Sequence, residues 1–304
     1  MSVAVGTDNS SLTVKAKFRH KAQAPIINTS PDGHEMRQQF GAKHDKVVIF
    51  PEAWTEGKSR EAKAMRRLHA DYPSIVLKPF DYLRISKTKA SATWADSLNK
   101  FHAFELTDYK RVLIFDADTQ VLNNMDHLFQ QPQAAVAVPR AYWLNEKDTP
   151  PAEQVLSSHV MLLEPNATTH DVLVKESLRT GKLDMDVVNT MFRDTAMILP
   201  HRRLALLTGE FRGGDHQKYL APEDATEWDP VAEVSSAYLV HFSDWPMPKP
   251  WLERTKEQWE AALPKCDAGE VEIVGRPKCA DRLMWSRFYE DYNDDKKRYC
   301  NRLG

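Results

Sequence analysis

Three short apolar runs frame the chain: Lys46–Phe50 (KVVIF), Ser74–Phe80 (SIVLKPF) and Arg111–Phe115 (RVLIF). Each is of strand length and rich in β-branched residues. The first and third are apolar at consecutive rather than alternate positions, as in a strand covered on both faces. Between them lie Ser59–Ala70, helical in composition and spacing, and Ser91–Thr107, which would place Trp94, Leu98, Phe101 and Phe104 on one helical face. Strand, helix, strand, helix, strand is the rhythm of a parallel sheet with crossover helices. Ala134–Pro139, His159–Glu164 and Tyr238–Phe242 read as further strands. Asn166–Arg179, Asp184–Phe192, Thr255–Leu263 and Ala280–Arg298 read as helices, with a break at Thr180–Gly181. The expectation is an α/β domain over 34–304, a mostly parallel central sheet flanked by helices, with the C-terminal helices of 253–300 packed on it. A polar, poorly ordered arm at 1–33 would precede it, and Glu35–Phe40 reads as a short helix.

Composition narrows the function classes. Hydrophobic residues make up 42% and charged residues 28% of 304, and the net charge is −2. That balance exerts no broad pull on nucleic acid or anionic membrane. No run approaches the ~20 apolar residues of a membrane span. Met1–Ala24 lacks the apolar segment of a signal peptide, so a soluble chain with a cytoplasmic default is expected. Cys266, Cys279 and Cys300 fit no zinc spacing. Free thiols are the favoured reading. A Cys266–Cys279 disulfide is the alternative and would imply a secretory lumen.

The first chemical signal is Phe115–Thr119 (FDADT), at the end of the third apolar run. In open α/β sheets, ligands bind at the carboxyl ends of strands. Asp116 and Asp118 are two apart, so in extended backbone their carboxylates leave on the same side. Such a pair suits a hard divalent ion, magnesium or manganese. The motif also shares the DxD of the DxDx[TV] pattern of aspartate-nucleophile phosphatases, with Gln120 standing where that pattern has Thr or Val, and a solvated helix-capping turn is the bland alternative.

The second signal, His241–Trp251 (HFSDWPMPKPW), separates these readings. His241 ends an apolar strand and would complete a three-ligand metal site. Lys249 lies between Pro248 and Pro250, which restrict the backbone on both sides and lower the entropy lost in holding the ammonium on a pyrophosphate. Trp245 and Trp251 bracket this lysine; packing is the favoured reading, a sugar-stacking wall the alternative. His102 and Phe101 read as core packing, and Glu210 with Arg212 as an ion pair.

With both motifs in this order, the chain resembles glycosyltransferase family 8, the glycogenin-like enzymes with a GT-A fold, and within it the fungal N-acetylglucosaminyltransferase-like members. Besides the two motifs, the resemblance rests on SLNKFHAFELTDYKRVLIFDADT (97–119), VPRAYWL (138–144), SSHVMLLEP (157–165), DMDVVNTMF (184–192), LLTGEFR (206–212) and CADRLMWSRFYEDYNDDKKRYC (279–300). It implies a metal held by Asp116, Asp118 and His241, and a UDP-sugar donor on Lys100, Asp116, Ala117, Asp118, Ser157, Ser158, Asp186, Asp244 and Lys249. Asp184 and Lys249 are the implied catalytic pair, Asp184 positioning the sugar and Lys249 steadying the leaving diphosphate. The implied reaction is retaining transfer of glucose or N-acetylglucosamine to a glycan or glycoprotein. A homodimer and a Golgi-lumenal setting are also implied, the latter in tension with the cytoplasmic default.

Two departures qualify the resemblance. Family members open with a strand that cradles the nucleotide base, and none is evident here; Val3–Asp8 (VAVGTD) is a displaced candidate. The base pocket would then be missing, built by the arm, or lost with a truncated start, and a degenerate nucleotide-sugar-binding homologue is the alternative function. The glucosylated tyrosine of glycogenin has no counterpart, Tyr219 lying in a different context.

Overall fold

The computed structural model describes residues 2–7, 44–85, 96–146, 148–220, 227–266 and 278–297. Among them a seven-stranded sheet has the order β3-β2-β1-β4-β7-β6-β8. Its strands are β1 (Ser2–Thr7), β2 (Lys46–Pro51), β3 (Ile75–Phe80), β4 (Arg111–Asp116), β6 (Val136–Pro139), β7 (Val160–Leu163) and β8 (Met197–Leu199). A three-stranded sheet, β5 (Thr119–Val121), β10 (Leu239–His241) and β9 (Leu206–Leu207), stands beside it. β2 pairs parallel with β3, and β6 with β8, whereas β1 and β7 pair antiparallel with both their neighbours. Five of the seven strands therefore run one way, which is the sense in which the sheet is mostly parallel.

The consecutive apolar runs are explained by burial on both faces. Along β4, Leu113 and Phe115 face one cluster, with Val48, Phe50 and Leu162. Val112 and Ile114 face the other, with Met161, Leu163 and Val138. A third cluster gathers the small sheet against the C-terminal helix, around Trp285, Tyr289, Phe211 and Phe242.

The helices are α1 (Arg60–Asp71), α2 (Ala167–Thr180), α3 (Asp184–Phe192), α4 (Gln217–Leu220), α5 (Pro230–Ser236), α6 (Lys256–Ala262) and α7 (Ala280–Asp295). Their ends follow from local chemistry. The Ser59 hydroxyl accepts from the Ala62 N–H at 3.1 Å and starts α1. Gly181, at φ 71°, ends α2 in the left-handed region open to glycine.

Three expectations are corrected. The described part of Ser91–Thr107 is a 3-10 helix, Ser97–Glu105; its buried Leu98, Phe101 and Phe104 recur every three residues, the period of that helix rather than of an α-helix. Residues 91–95, with Trp94, and the proposed helix Glu35–Phe40 lie outside the described residues. Where the first strand was expected to be missing, a segment of the arm forms a strand, antiparallel to both its neighbours. Ser2–Thr7 fills the slot between β2 and β4, with Val3 opposite Val48 and Phe115. Two strands left apart at the centre of a sheet would bury unpaired ladder groups, and a β-branched segment satisfies both edges. The cysteine expectation also changes: Cys266 and Cys279 form a disulfide, their Cα atoms 5.1 Å apart.

A proline in β1 tests this placement. Val5→Pro is expected to destabilise the protein by about 1–3 kcal/mol, the cost of an unpaired buried ladder group, measured as a lowered urea midpoint. An unchanged midpoint would remove β1 from the sheet.

Candidate active site

β4 delivers Asp116 at its carboxyl end, where the Asp116 N–H donates to the His159 carbonyl at 2.8 Å. The chain turns through Ala117, half-buried against the core, and enters β5. β5 pairs antiparallel with β10 so that Thr119 lies opposite His241, and the Phe242 N–H donates to the Asp118 carbonyl at 2.8 Å. This register, rather than any sequence proximity, carries the histidine to the acidic pair. His241 Nε2 lies 3.2 Å from Asp118 Oδ1. Asp116, Asp118 and His241 each offer a ligand atom within 4.8 Å of the others.

Two lysines hold the carboxylates. Lys249 Nζ is 2.6 Å from Asp118 Oδ2 and also donates to the Phe242 carbonyl. Lys100, buried on the 3-10 helix, reaches Asp116 Oδ1 at 2.7 Å, Asp184 Oδ2 at 2.6 Å and the Ser158 carbonyl at 3.1 Å. Asp184 opens α3, where the helix dipole favours a negative charge. It accepts from Ser158 Oγ at 2.6 Å, and its own N–H donates to Ser97 Oγ at 3.4 Å.

The electrostatics follow this geometry. Burial alone would lower the Lys100 pKa, but the carboxylates of Asp116 and Asp184 outweigh it and raise the ammonium above its ordinary value. Burial would raise Asp184, yet Lys100 and the hydrogen bonds from Ser158 and Ser97 hold it at about 2. Burial opposes Asp118 as well, and Lys249 with His241 holds it well below the carboxylate range. Asp116 is pushed up, by burial and by the charges of Asp118 and Asp184, against the pull of Lys100.

The remaining expected residues sort by geometry. Ser157 Oγ contacts His159 Nδ1, and the His159 ring lies 5.3 Å from that of His241, which makes His159 a neighbour of the candidate metal ligands that sequence reasoning missed. Burial, then the charges of His241 and Lys100, keeps His159 neutral, its pKa well below the ordinary value. Ser97 was missed too, although both residues lie inside stretches that carried the resemblance. Asp186 is two residues beyond Asp184 on α3, and positions i and i+2 of a helix do not share a face. Asp244 is not brought to the cluster: it is buried, accepting from Tyr289 Oη at 2.8 Å and Arg212 Nη1 at 3.4 Å. Arg212 therefore pairs with Asp244 rather than Glu210, whose carboxylate takes the Tyr142 hydroxyl at 3.0 Å and His216 Nδ1 at 2.9 Å. Trp251 packs against the C-terminal cluster, whereas Trp245 stands 66% exposed, against the packing expectation. Tyr219 is fully buried.

The arrangement offers a divalent-cation site with its own ligand set, an ammonium beside it, and an ionised carboxylate flanked by a serine hydroxyl. The donor set fits such an ion: two carboxylates and an imidazole whose Nδ1 is buried without a hydrogen-bond partner among the described residues.

No protein-family model matches the chain. It is 38% identical over 277 residues to the Gibberella zeae protein glucose N-acetyltransferase 1, a match covering 89% of this chain and 59% of that protein. The Aspergillus fumigatus protein of the same name is 34% identical over 282 residues, covering 86% of this chain and 71% of that protein. Among solved structures, the galactosyltransferase LgtC, in complex with donor and acceptor sugar analogs, aligns with a TM-score of 0.54 at 11% identity, over 82% of this chain and 99% of its own. That likeness concerns the fold, which is GT-A.

Replacing Lys100 isolates the buried network. Asp184, with its depressed pKa, contributes stability that is fully present above the unfolded value of 3.8 and lost as pH falls toward about 2. Lys100→Met, which strands two carboxylates, is expected to cost about 3–5 kcal/mol at pH 7. The difference from wild type should shrink as pH falls from 7 toward about 2, because the stranded carboxylates of the variant protonate at higher pH than the paired ones of the wild type. Urea unfolding at pH 7 and pH 3 measures both; a penalty independent of pH would deny the charge network.

Proposed function

This chain belongs to the family of the glucose N-acetyltransferase 1 proteins, glycogenin-like glycosyltransferases of the GT-A fold, and on that premise we propose that it transfers a hexose or N-acetylhexosamine from a UDP-sugar, with retention of configuration. The chain spans 59% of the Gibberella zeae relative, so the reading rests on the site rather than on that protein's name. The observation that carries it is the convergence of Asp116, Asp118 and His241 with Lys249 on Asp118 and Asp184 on Lys100.

In this reading Asp116, Asp118 and His241 hold manganese or magnesium, which when bound supplies Lewis-acid neutralisation of the donor diphosphate. Lys249 contributes a fixed positive charge to that same diphosphate, strongest where charge builds up on the leaving group. Lys100 keeps Asp184 ionised and oriented, and Asp184 with Ser158 receives hydrogen bonds from the sugar hydroxyls near the anomeric carbon. Asp184 is then a positioning carboxylate, the departing phosphate taking the acceptor proton, so no protein base is needed. The acceptor is a glycan or glycoprotein. The Cys266–Cys279 bridge supports an oxidising, lumenal setting. Among the described residues no helix is long and apolar enough to cross a membrane.

Calorimetry with UDP, with and without manganese, tests the donor site. Wild type is expected to bind only with the metal, and Asp118→Ala to lose binding. Lys249→Ala should weaken it by about tenfold or more, the equivalent of one charge-assisted hydrogen bond of 1.5–3 kcal/mol. No UDP binding by a well-folded wild type would sink the UDP-sugar reading, both as a catalyst and as a degenerate nucleotide-sugar-binding homologue.

A further inference from the structure

A second cluster of metal-ligating side chains lies outside the donor site. His102 and Glu105 are three apart on the 3-10 helix Ser97–Glu105, and three-residue spacing in that helix stacks side chains on one edge. His170, in the first turn of α2, meets them. Glu105 Oε2 contacts His102 Nδ1 directly and lies 3.5 Å from His170 Nε2. The three residues each offer a ligand atom within 4.8 Å of the others.

The surroundings are those of a built site. His102 and His170 are 4% and 8% exposed, so neither imidazole is a surface accident. The His102 ring stacks on Phe80 at 4.5 Å and lies 4.9 Å from His170, which fixes its plane. His170 Nδ1 lies 3.1 Å from Asp171 Oδ1. A carboxylate on the far nitrogen sets the tautomer and turns the other nitrogen outward as a ligand. That nitrogen, His170 Nε2, is buried and makes no hydrogen bond among the described residues. The Glu105 side chain is 46% exposed and opens the cluster to solvent on one side.

We propose that His102, Glu105 and His170 form a zinc site, distinct from the donor cluster, that clamps the 3-10 helix carrying Lys100 against α2. Two imidazole nitrogens and one carboxylate are zinc's borderline donor set, and the solvent side leaves a fourth position for water. Zinc bonds of ~2.0–2.1 Å place tetrahedral ligands roughly 3.3 Å apart, close to the observed separation of Glu105 from His170. The proposal does not depend on the glycosyltransferase reading.

The test uses the full chain carrying Asp118→Ala, stripped with a chelator, so that the donor cluster cannot supply the signal. Zinc titration should give one equivalent bound, and the cobalt adduct should show the intense visible bands of a tetrahedral ion. His170→Gln in this background should abolish both. Glu105→Gln, half-exposed and safe for folding, should weaken zinc by at least about tenfold, and it decides the matter alone if His170→Gln does not fold. Zinc should also raise the Tm of the Asp118→Ala chain and leave that of its Glu105→Gln derivative little changed. No zinc bound by the Asp118→Ala chain, or equal affinity in the Glu105→Gln derivative, would overturn the site and leave Glu105 as a hydrogen-bond acceptor shared by two histidines.

Discussion

The buried ammonium of Lys100 is the interaction on which the site depends. A lysine 3% exposed is tolerated only with opposite charge in contact. Here the charge comes from two elements at once: Asp116 at the end of β4 and Asp184 at the start of α3. Satisfying one cation therefore fixes the relative placement of the 3-10 helix, the central sheet and α3. The Ser158 carbonyl, just before β7, closes the coordination of the ammonium. Four segments of the chain are pinned by one group, and the carboxylate of Asp184 is held in register with that of Asp116.

The small sheet performs the same service for His241. Its strands are only two or three residues long, so they cannot stand alone and rely on the aromatic cluster behind them. A slip of one residue between β5 and β10 would turn His241 to the opposite face. Register is secured by Val121 and Leu239, both buried in the core and paired with each other. Asp244 serves the same end from the loop beyond. Bound by Tyr289 of α7 and by Arg212, it anchors the segment that carries Lys249. The family resemblance implied donor contact for it, whereas its observed neighbours make it a tether.

What was legible in the sequence was whatever depends on local pattern. Consecutive apolar positions announced strands buried on both faces, and the FDADT and HFSDWPMPKPW motifs pointed to the convergence of Asp116, Asp118 and His241, because each lies at the end of a strand. What depends on partners distant in sequence was not legible. Ser2–Thr7 belongs to the sheet only because β2 and β4 leave a slot for it, and they begin some forty and a hundred residues later. The helical period over 97–105 looked compatible with an α-helix until burial of Leu98, Phe101 and Phe104 chose three residues per turn. The exposure of Trp245 and the partner of Arg212 likewise turn on what the folded chain puts beside them.

On the proposed reading, the charge count explains how a cluster rich in acid could take an anion. Asp116, Asp118 and Asp184 face Lys100 and Lys249, a formal excess of one negative charge before any ligand arrives. A divalent cation held by Asp116, Asp118 and His241 would reverse that excess and would compete with Lys249 for Asp118. The ammonium released from that contact is then a free positive charge beside the metal ligands, which a diphosphate can satisfy. Cation alone would leave the pocket positive and Lys249 without its carboxylate; diphosphate alone would meet carboxylates. Each is stabilised chiefly by the other, so metal and nucleotide binding should be thermodynamically coupled, with the coupling residing in the shared oxygen atoms of Asp118.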